Sequence, residues 1–339
     1  MKISWHVIVP VWGDWHTRLF LEHCLPAIRK AAEGISHQWL LVVHTDRPKI
    51  ILDAVSDLPV SVQRIKPGED RYKTLGDLHR DTINERLYGE AIAFINADMV
   101  PSREVFSAAE ARFRQGKRLI MCAAPRTNAN TFKPKPGVPG RHLATWAWWH
   151  RHDWISDCIY GEGHTKVPSN IFFRRSIPEL HAESADRVVM HGFHLHPFAL
   201  MKDHPLTFKG ITIDSDLIDS IPRYRTHVVT DPDELAFAEM SAPGHGFGST
   251  KNVLRADYAA YWARHNASAA HQWMFKHQIV IRGEPMQDAQ DEADHILRQI
   301  NAFDRERLIA MVPDKLRYMV SPAIRKRIRS MLGAVQPGA

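Results

Sequence analysis

The residues of this chain whose types and spacing best suggest chemistry are Asn96 and Asp98, in the run Asn96-Ala97-Asp98. They follow the apolar stretch 91–95, which is typical of a buried strand, and Pro101 closes the turn. In an open α/β sheet, ligands bind at the carboxyl ends of the strands, so short polar side chains there can reach a ligand. A carboxylate and an amide oxygen two residues apart can approach one hard divalent cation, which itself bridges phosphate oxygens. The competing interpretation is a strand-ending turn held by side-chain hydrogen bonds.

Histidines form the next group of candidates. In the run 191–197, His194 and His196 would point to the same face of an extended strand, as two metal ligands require. His245 lies in the glycine-rich segment 243–251, whose glycines would expose backbone N–H groups and permit motion. The chain has 21 histidines, so a structural, hydrogen-bonded role competes for each of them.

The elements that must position these residues can be predicted from apolar periodicity. Up to residue 125, short apolar runs alternate with amphipathic stretches, which is typical of a mainly parallel sheet covered by helices. Strands are predicted at 6–10, 39–44, 60–65, 91–95 and 119–123, and helices at 15–33, 48–56, 75–87 and 104–115. The segment 128–141, with three prolines and two glycines, is predicted to be a loop. A strand-rich segment follows from 167 to about 240, and the pattern from 253 onward is helical apart from 279–281.

Composition limits the classes of protein. No run of 18 apolar residues is present, and the first residues lack the features of a signal peptide, so we predict no transmembrane helix and no leader. Three widely spaced cysteines without a CxxC pattern indicate reduced thiols and a cytoplasmic location. The net charge of +6 favours an anionic partner, such as nucleic acid, a nucleoside diphosphate or an acidic membrane surface. Nucleic acid is disfavoured, because the basic residues are spread along the chain without an aromatic-interleaved patch.

The C-terminal segment 321–332 has the pattern of an amphipathic helix. Ser321 is a suitable N-cap, and Pro322 occupies the first helical position. The apolar residues share one face and four basic residues lie beside them. One interpretation is peripheral contact with the inner face of a membrane, and the other is a terminal helix docked on the body of the protein.

The stretch 73–101 resembles the centre of family 2-like GT-A glycosyltransferases, which reads roughly Gly…Arg-Asn…Gly-Glu-x-Ile-x-Phe-Leu-Asp-Ala-Asp…Pro. The matching positions are Gly76, Arg80, Gly89, Glu90, Ile92, Phe94, Ala97, Asp98 and Pro101. The opening strand around Pro10 and Val11 is similar to the Val-Ile-Pro-x-Tyr strand of that family, and 168–176 resembles the strand with an Arg-Arg pair behind the acceptor site. Two positions depart from the pattern, because Asn96 replaces the first aspartate and Asp81 replaces an asparagine.

The resemblance implies a GT-A-like (Rossmann-like) α/β fold with a mixed, mainly parallel sheet flanked by helices and a helical C-terminal extension. It implies a nucleotide-sugar-binding half at 1–125, an acceptor-binding and catalytic half of the same domain at 126–250, and the helical extension at 251–339. The implied activity moves a sugar from a nucleoside diphosphate sugar to a hydroxyl group of a glycan, lipid-linked or other acceptor, with inversion in a single displacement. Retention of the configuration is the open alternative.

The resemblance also assigns roles to individual residues. The donor contacts that it implies are Pro10, Val11, Asp46, Lys73, Arg80, Asn96, Ala97, Asp98 and Lys251. Asp98 and Asn96 would hold Mn²⁺ or Mg²⁺ together with a histidine, with His196 ranked first and His194 and His245 as the other candidates. Lys251 and His245 would belong to a loop that closes over the diphosphate.

A catalytic base is implied by the stretch 212–219, which resembles the acidic Glu-Asp-x-Asp-Leu region of the family. A carboxylate there would deprotonate the acceptor hydroxyl. Asp214 and Asp216 are the candidates, and Asp216 is preferred because Leu217 follows it. Either aspartate would otherwise cap a helix or line a turn.

Three further interpretations remain open at this point. The first is a metal-dependent hydrolase built on His194 and His196, and the second is a non-catalytic member of the same fold that binds nucleotide or glycan, for which Asn96 is the main argument. The third concerns four tryptophans, which provide either platforms for sugar rings or packing: Trp146, Trp148, Trp149 and Trp154.

Overall fold

The computed structural model describes residues 2–85, 89–176, 186–204, 206–246 and 248–311, with side chains described up to residue 302. The predicted amphipathic helix at 321–332 lies outside these residues, so its membrane contact stays a prediction. None of the helices within the described ranges combines the length and the apolar character that crossing a membrane requires. Cys24, Cys122 and Cys158 are buried free thiols.

The strands and helices follow the chain order closely. The strands are β1 (Ser4–Val11), β2 (Gln38–Thr45), β3 (Val60–Arg64), β4 (Glu90–Phe94), β5 (Met99–Pro101), β6 (Leu119–Cys122), β7 (Arg126–Asn128), β8 (Asn170–Arg175), β9 (Arg187–Gly192), β10 (His196–Lys202), β11 (Thr226–Val228), β12 (Phe237–Ser241) and β13 (Ile279–Arg282). The helices are α1 (Gly13–Leu19), α2 (Leu25–Ala32), α3 (Pro48–Val55), α4 (Arg71–Glu85), α5 (Val105–Arg114), α6 (Gly140–Trp149), α7 (Asp153–Asp157), α8 (Ile213–Asp216), α9 (Ala256–Asn266), α10 (Ala269–Phe275) and α11 (Gln287–Met311). A π-helical turn, Phe20–Cys24, joins α1 to α2, so the helix predicted at 15–33 is continuous.

The central sheet has seven strands in the order β11-β6-β10-β4-β1-β2-β3. The neighbours β4, β1, β2 and β3 run parallel, and β11 is parallel to β6, whereas β10 is antiparallel to both β4 and β6. This mixed, mainly parallel sheet flanked by helices confirms the predicted fold class. Because β10 and β11 come from beyond residue 125, both predicted halves contribute strands to one sheet, while the division into three segments stays a prediction.

Both faces of the central sheet are covered by apolar side chains, as its uniformly apolar strands require. Along β1, Val7, Val9 and Val11 pack into the core cluster on one face, and Ile8 packs into the cluster on the other face. This alternation is the period of two expected for a strand. The sheet therefore separates two cores, and its carboxyl edge is left for polar side chains.

Two smaller sheets, β5-β12-β7 and β13-β9-β8, complete the fold. In the first sheet β12 pairs antiparallel with β5 and parallel with β7, which places Glu239 opposite both Met99 and Arg126. The prediction of a loop at 128–141 is confirmed for the middle of that segment. Its first residue belongs to β7 and its last two belong to α6. Of the four tryptophans, Trp146, Trp148 and Trp149 lie on α6 and Trp154 lies on α7, with Trp148 and Trp154 buried and Trp149 exposed.

The buried His191 of β9 makes stability depend on pH. Its Nδ1 donates to the carbonyl oxygen of Phe275 at 2.8 Å, and burial, despite this bond, lowers its pKa to about 4. An unfolded histidine has a pKa of about 6.5. Between these values the unfolded chain binds more protons than the folded chain, so this contribution to stability is complete above pH 6.5 and is lost as the pH falls towards 4.

We therefore expect His191→Phe to flatten the pH dependence of the free energy of unfolding. The free energy of unfolding of this variant should decrease from pH 7 to pH 4.5 by about 2 kcal/mol less than that of the parent chain. Urea unfolding at both pH values measures this difference, and His37→Phe at an exposed position serves as the control. Equal decreases in the parent chain and in His191→Phe would contradict the assignment.

Candidate active site at the carboxyl edge of the central sheet

A pocket of about 360 Å³ opens where β4 and β6 end and β10 begins. This is the carboxyl edge of the sheet, where an open α/β fold binds its ligands. Polar side chains from seven parts of the chain line the pocket, namely those of Tyr72, His79, Asn96, Arg126, Ser169, Asn170, His194, His196, Thr212, Asp214, Ser215 and Glu239.

The turn Asn96–Asp98 lies at the edge of this pocket, as predicted from the end of β4. The Met99 N–H donates to the Asn96 carbonyl oxygen at 3.0 Å, and Ala97 is buried in the core. Asn96 lines the pocket, whereas the Asp98 carboxylate, 17% exposed, lies 4.0 Å from Nε2 of His16. Asn96 therefore faces the pocket directly, whereas Asp98 lies beside it, close enough to interact with the charges of Arg126 and Glu239 in the pocket wall.

Arg126 and Glu239 form an ion pair in the pocket wall. The distance from Nη2 of Arg126 to Oε1 of Glu239 is 3.0 Å, and the guanidinium carbon lies 4.4 Å from the ring centre of Trp154. Nη1 of Arg126 is buried without a hydrogen-bond partner. Arg126 is the only lysine or arginine among the described residues that line the pocket. It therefore provides a fixed cation with one unused donor.

Burial raises the pKa values of Asp98 and Glu239, although the nearby Arg126 opposes the rise in each case. The charge of Asp98 raises the pKa of Glu239 further. Two carboxyl groups with raised pKa values share protons near neutral pH. The negative charge beside Arg126 is therefore smaller than two full carboxylates would give.

The two candidate bases, Asp214 and Asp216, are in different environments. Asp216 accepts hydrogen bonds from the N–H groups of Ile211 at 2.5 Å and Thr212 at 3.0 Å, so its carboxylate closes the turn before α8. Asp214 lines the pocket with 58% of its side chain exposed. The geometry therefore leaves Asp214 accessible to a ligand and occupies Asp216 with backbone.

The charge of Asp214 is supported by its contact with His196. Partial burial in the pocket acts to raise the pKa of Asp214, but the contact with His196 opposes this rise, and the pKa is lowered on balance. Oδ1 of Asp214 lies 3.8 Å from Nδ1 of His196. Asp214 therefore remains a carboxylate at neutral pH, as a proton acceptor must.

The histidines of the run 191–197 do not form the predicted pair. His196 begins β10, whereas His194 lies in the turn before that strand, so the expectation that both share one strand face is wrong. Nε2 of His196 lies 2.7 Å from the Phe94 carbonyl oxygen and must carry the proton, because a carbonyl only accepts. The His194 ring instead packs edge-on against His271, with ring centres 4.7 Å apart.

The predicted metal ligands do not fit a preassembled metal centre. In the parts of the chain that the structure describes, no group of three or more histidine, cysteine, aspartate or glutamate side chains is arranged to hold a metal ion. His245 is exposed on the glycine-rich segment, and Asp98 and His196 face the partners described above. The metal dependence implied by the resemblance therefore stays a prediction.

The remaining predicted donor contacts lie outside the pocket lining. Asp46 accepts from the Gly13 N–H with both carboxylate oxygens, at 3.3 and 3.2 Å, and thus caps α1. Lys73 and Arg80 both bind Asp77 on α4, at 2.7 and 2.6 Å. Pro10, Val11 and Ala97 are buried, and Lys251 is exposed. Their roles in donor binding stay predictions.

Several pocket residues were not predicted from sequence, among them Arg126, Glu239 and His79. Arg126 follows β6 at the same edge as Asn96, and Glu239 is the one charged residue of strand β12, so both carried a usable signal. His79 is 2% exposed on α4, and burial lowers its pKa to about 3. No helical pattern distinguishes such a histidine from a core residue.

Comparisons with known proteins give distant likenesses among solved structures. No protein-family model and no curated protein matches the chain. Among solved structures, the chain is similar to S. aureus TarS 1-349 in complex with UDP-GlcNAc, with a TM-score of 0.36 and 13% sequence identity over 81% of this chain and 71% of that chain. At this distance the likeness makes no statement about activity.

Proposed function

We propose that this chain transfers a sugar from a nucleoside diphosphate sugar to a hydroxyl group of an acceptor. The observation that carries the proposal is the position of Asp214, an accessible carboxylate in the same pocket as Asn96 of the turn after β4. The resemblance of the residues around that turn to family 2-like glycosyltransferases supports the donor class. A membership of family 2 remains part of the proposal.

In this proposal Asp214 is the general base. It takes the proton of the acceptor hydroxyl while the hydroxyl oxygen attacks the anomeric carbon, and the bond from that carbon to the diphosphate oxygen breaks. Displacement from the opposite face would invert the configuration. General-base catalysis of this kind contributes about 10²- to 10⁴-fold to a rate.

Arg126 is the proposed contact for the departing diphosphate. Its guanidinium is held by Glu239 and Trp154, and Nη1 has no hydrogen-bond partner. A fixed donor aimed at developing negative charge requires no reorganisation during the reaction. This role needs the cation of Arg126 and is independent of whether a metal ion also binds.

Two alternatives remain as outcomes of the test. A non-catalytic member of the fold would bind a nucleotide or glycan without turnover. The hydrolase alternative loses its main support, because His194 and His196 do not share a strand face.

The deciding measurement is release of nucleoside diphosphate from a panel of UDP-, GDP- and dTDP-sugars, with Mn²⁺ or with EDTA. We expect turnover of one donor class above the rate of the Arg126→Gln variant by at least tenfold. Binding of UDP without turnover of any donor would instead support the non-catalytic alternative. Turnover in EDTA equal to that in Mn²⁺ would contradict the predicted metal dependence without affecting the sugar transfer.

A further inference from the structure

The pocket has a polar part and an apolar part. Its lining includes the partly exposed Asn96, Arg126, Asp214 and Glu239, the buried polar residues His79, Ser169 and His196, and five apolar side chains that are each 4% exposed or less. These side chains form what we call the apolar wall: Ile155, Cys158, Phe172, Met190 and Leu195. All five belong to the core cluster between the central sheet and the β13-β9-β8 sheet. The pocket therefore penetrates a hydrophobic core.

The apolar wall is a poor surface for a sugar ring. A hydroxyl group placed against it would give up hydrogen bonds to water, and these side chains offer no replacement apart from a weak thiol. Each buried hydroxyl left without a partner would weaken binding by about tenfold or more. An apolar group in the same place would gain about 10- to 100-fold from leaving water.

The apolar wall and the proposed base line the same pocket. Ile213, the buried neighbour of Asp214 on α8, and Leu195 of the wall both belong to the pocket lining and to the same core cluster. An acceptor whose hydroxyl group reaches Asp214 therefore shares the pocket with this hydrocarbon surface. The acceptor-side part of the pocket is apolar although the site of proton transfer is polar.

We propose that the acceptor is a compact alcohol or phenol, whose hydroxyl group is attached to an aromatic or short aliphatic group that packs on the apolar wall. This inference rests on the proposed sugar transfer. The pocket volume of about 360 Å³ lies at the lower end of the range of small-molecule sites. Because the transferred sugar must share this volume, the part of the acceptor that the pocket encloses is of the size of one or two rings.

Equilibrium binding of 2-naphthol, a fluorescent phenol, tests the apolar wall without requiring turnover. Two half-buried alanines at the end of β6 line the pocket, so Ala123→Leu and Ala124→Leu would fill it. Each should raise the Kd of 2-naphthol at least tenfold, whereas Ala111→Leu at an exposed position of α5 should leave it unchanged. Urea unfolding of each variant verifies that it is folded. Two filling variants are used so that the test still holds if one of them fails to fold. Equal Kd values in all four proteins would overturn the inference.

Competition and turnover separate this inference from the proposed function. We expect 2-phenylethanol to displace 2-naphthol and glycerol at the same concentration not to do so. With the donor identified, kcat/KM for 2-phenylethanol should exceed that for glucose by at least tenfold. Transfer to glucose but not to 2-phenylethanol would overturn the apolar acceptor and leave sugar transfer standing. Naphthol binding that the filling variants weaken, without turnover of any donor, would overturn the sugar transfer and leave the apolar compartment standing.

Discussion

Asp214→Asn is expected to lower the turnover number for sugar transfer by about 10³-fold, with the KM for the donor changed by less than about threefold. The amide has the size of the carboxylate but cannot accept the proton of the acceptor hydroxyl. Release of nucleoside diphosphate at saturating acceptor measures the effect. Asp53→Asn, at an exposed position of α3, is the matched control and should retain the parent rate.

Asp216→Asn distinguishes the two candidate bases. An amide oxygen can still accept the hydrogen bonds from Ile211 and Thr212, so this variant should retain the rate within about tenfold and lose about 1 kcal/mol of unfolding free energy. The reverse pattern, with a 10³-fold loss for Asp216→Asn and near-parent turnover for Asp214→Asn, would move the base to Asp216. The preference for Asp216 that rests on the following Leu217 would then be correct.

Gly76→Ala is the second change with a large expected effect. A Cβ atom at Gly76 would lie 1.9 Å from the carbonyl oxygen of Ile211, so α4 or the segment that carries Asp214 must move. Alanine favours the helix by up to about 1 kcal/mol, but overpacking costs about 1–3 kcal/mol. A displacement of about 1 Å at a catalytic group lowers a rate by about 100-fold. We therefore expect a loss of turnover of this size with a modest loss of stability.

Parallel measurements of turnover and urea unfolding separate these two effects of Gly76→Ala. Gly68→Ala is the control, because a Cβ there would meet only Oγ1 of Thr74 at an ordinary 3.4 Å. Full activity of Gly76→Ala would show that the approach of α4 to Ile211 has no bearing on catalysis. The close approach of Gly76 to Ile211 would then not be needed to position Asp214.

The sequence predicted the N-terminal part of the fold well, because its signals are local. Strands β1 to β4 and β6 match the predicted apolar runs within about one or two residues, and α3 begins at the Pro48 from which it was predicted. The insertion of β10 between β4 and β6 was not predicted. An apolar strand has no local feature that identifies its partners, and this pairing joins residues about 100 positions apart.

From local signals, the site was predicted where it follows from a strand end, and the family resemblance added Asp214 and His196, which also line the pocket. Asn96 could be placed at the pocket from the end of β4, but the contact of Arg126 with Glu239 depends on the pairing of β7 with β12. Spacing also does not distinguish Asp214 from Asp216, since both lie in one short helix. The two aspartates are distinguished only by the hydrogen bonds that the Asp216 carboxylate accepts from the backbone N–H groups of Ile211 and Thr212.

The late position of β10 also matters during synthesis on the ribosome. Until residues 196–202 emerge, the edge of β4 that faces β10 has no partner within the central sheet, and β6 cannot join β4. An unpaired apolar strand edge readily binds other chains. The nascent N-terminal half therefore has to be shielded, by its own collapse or by a chaperone, until translation delivers the strand that completes it.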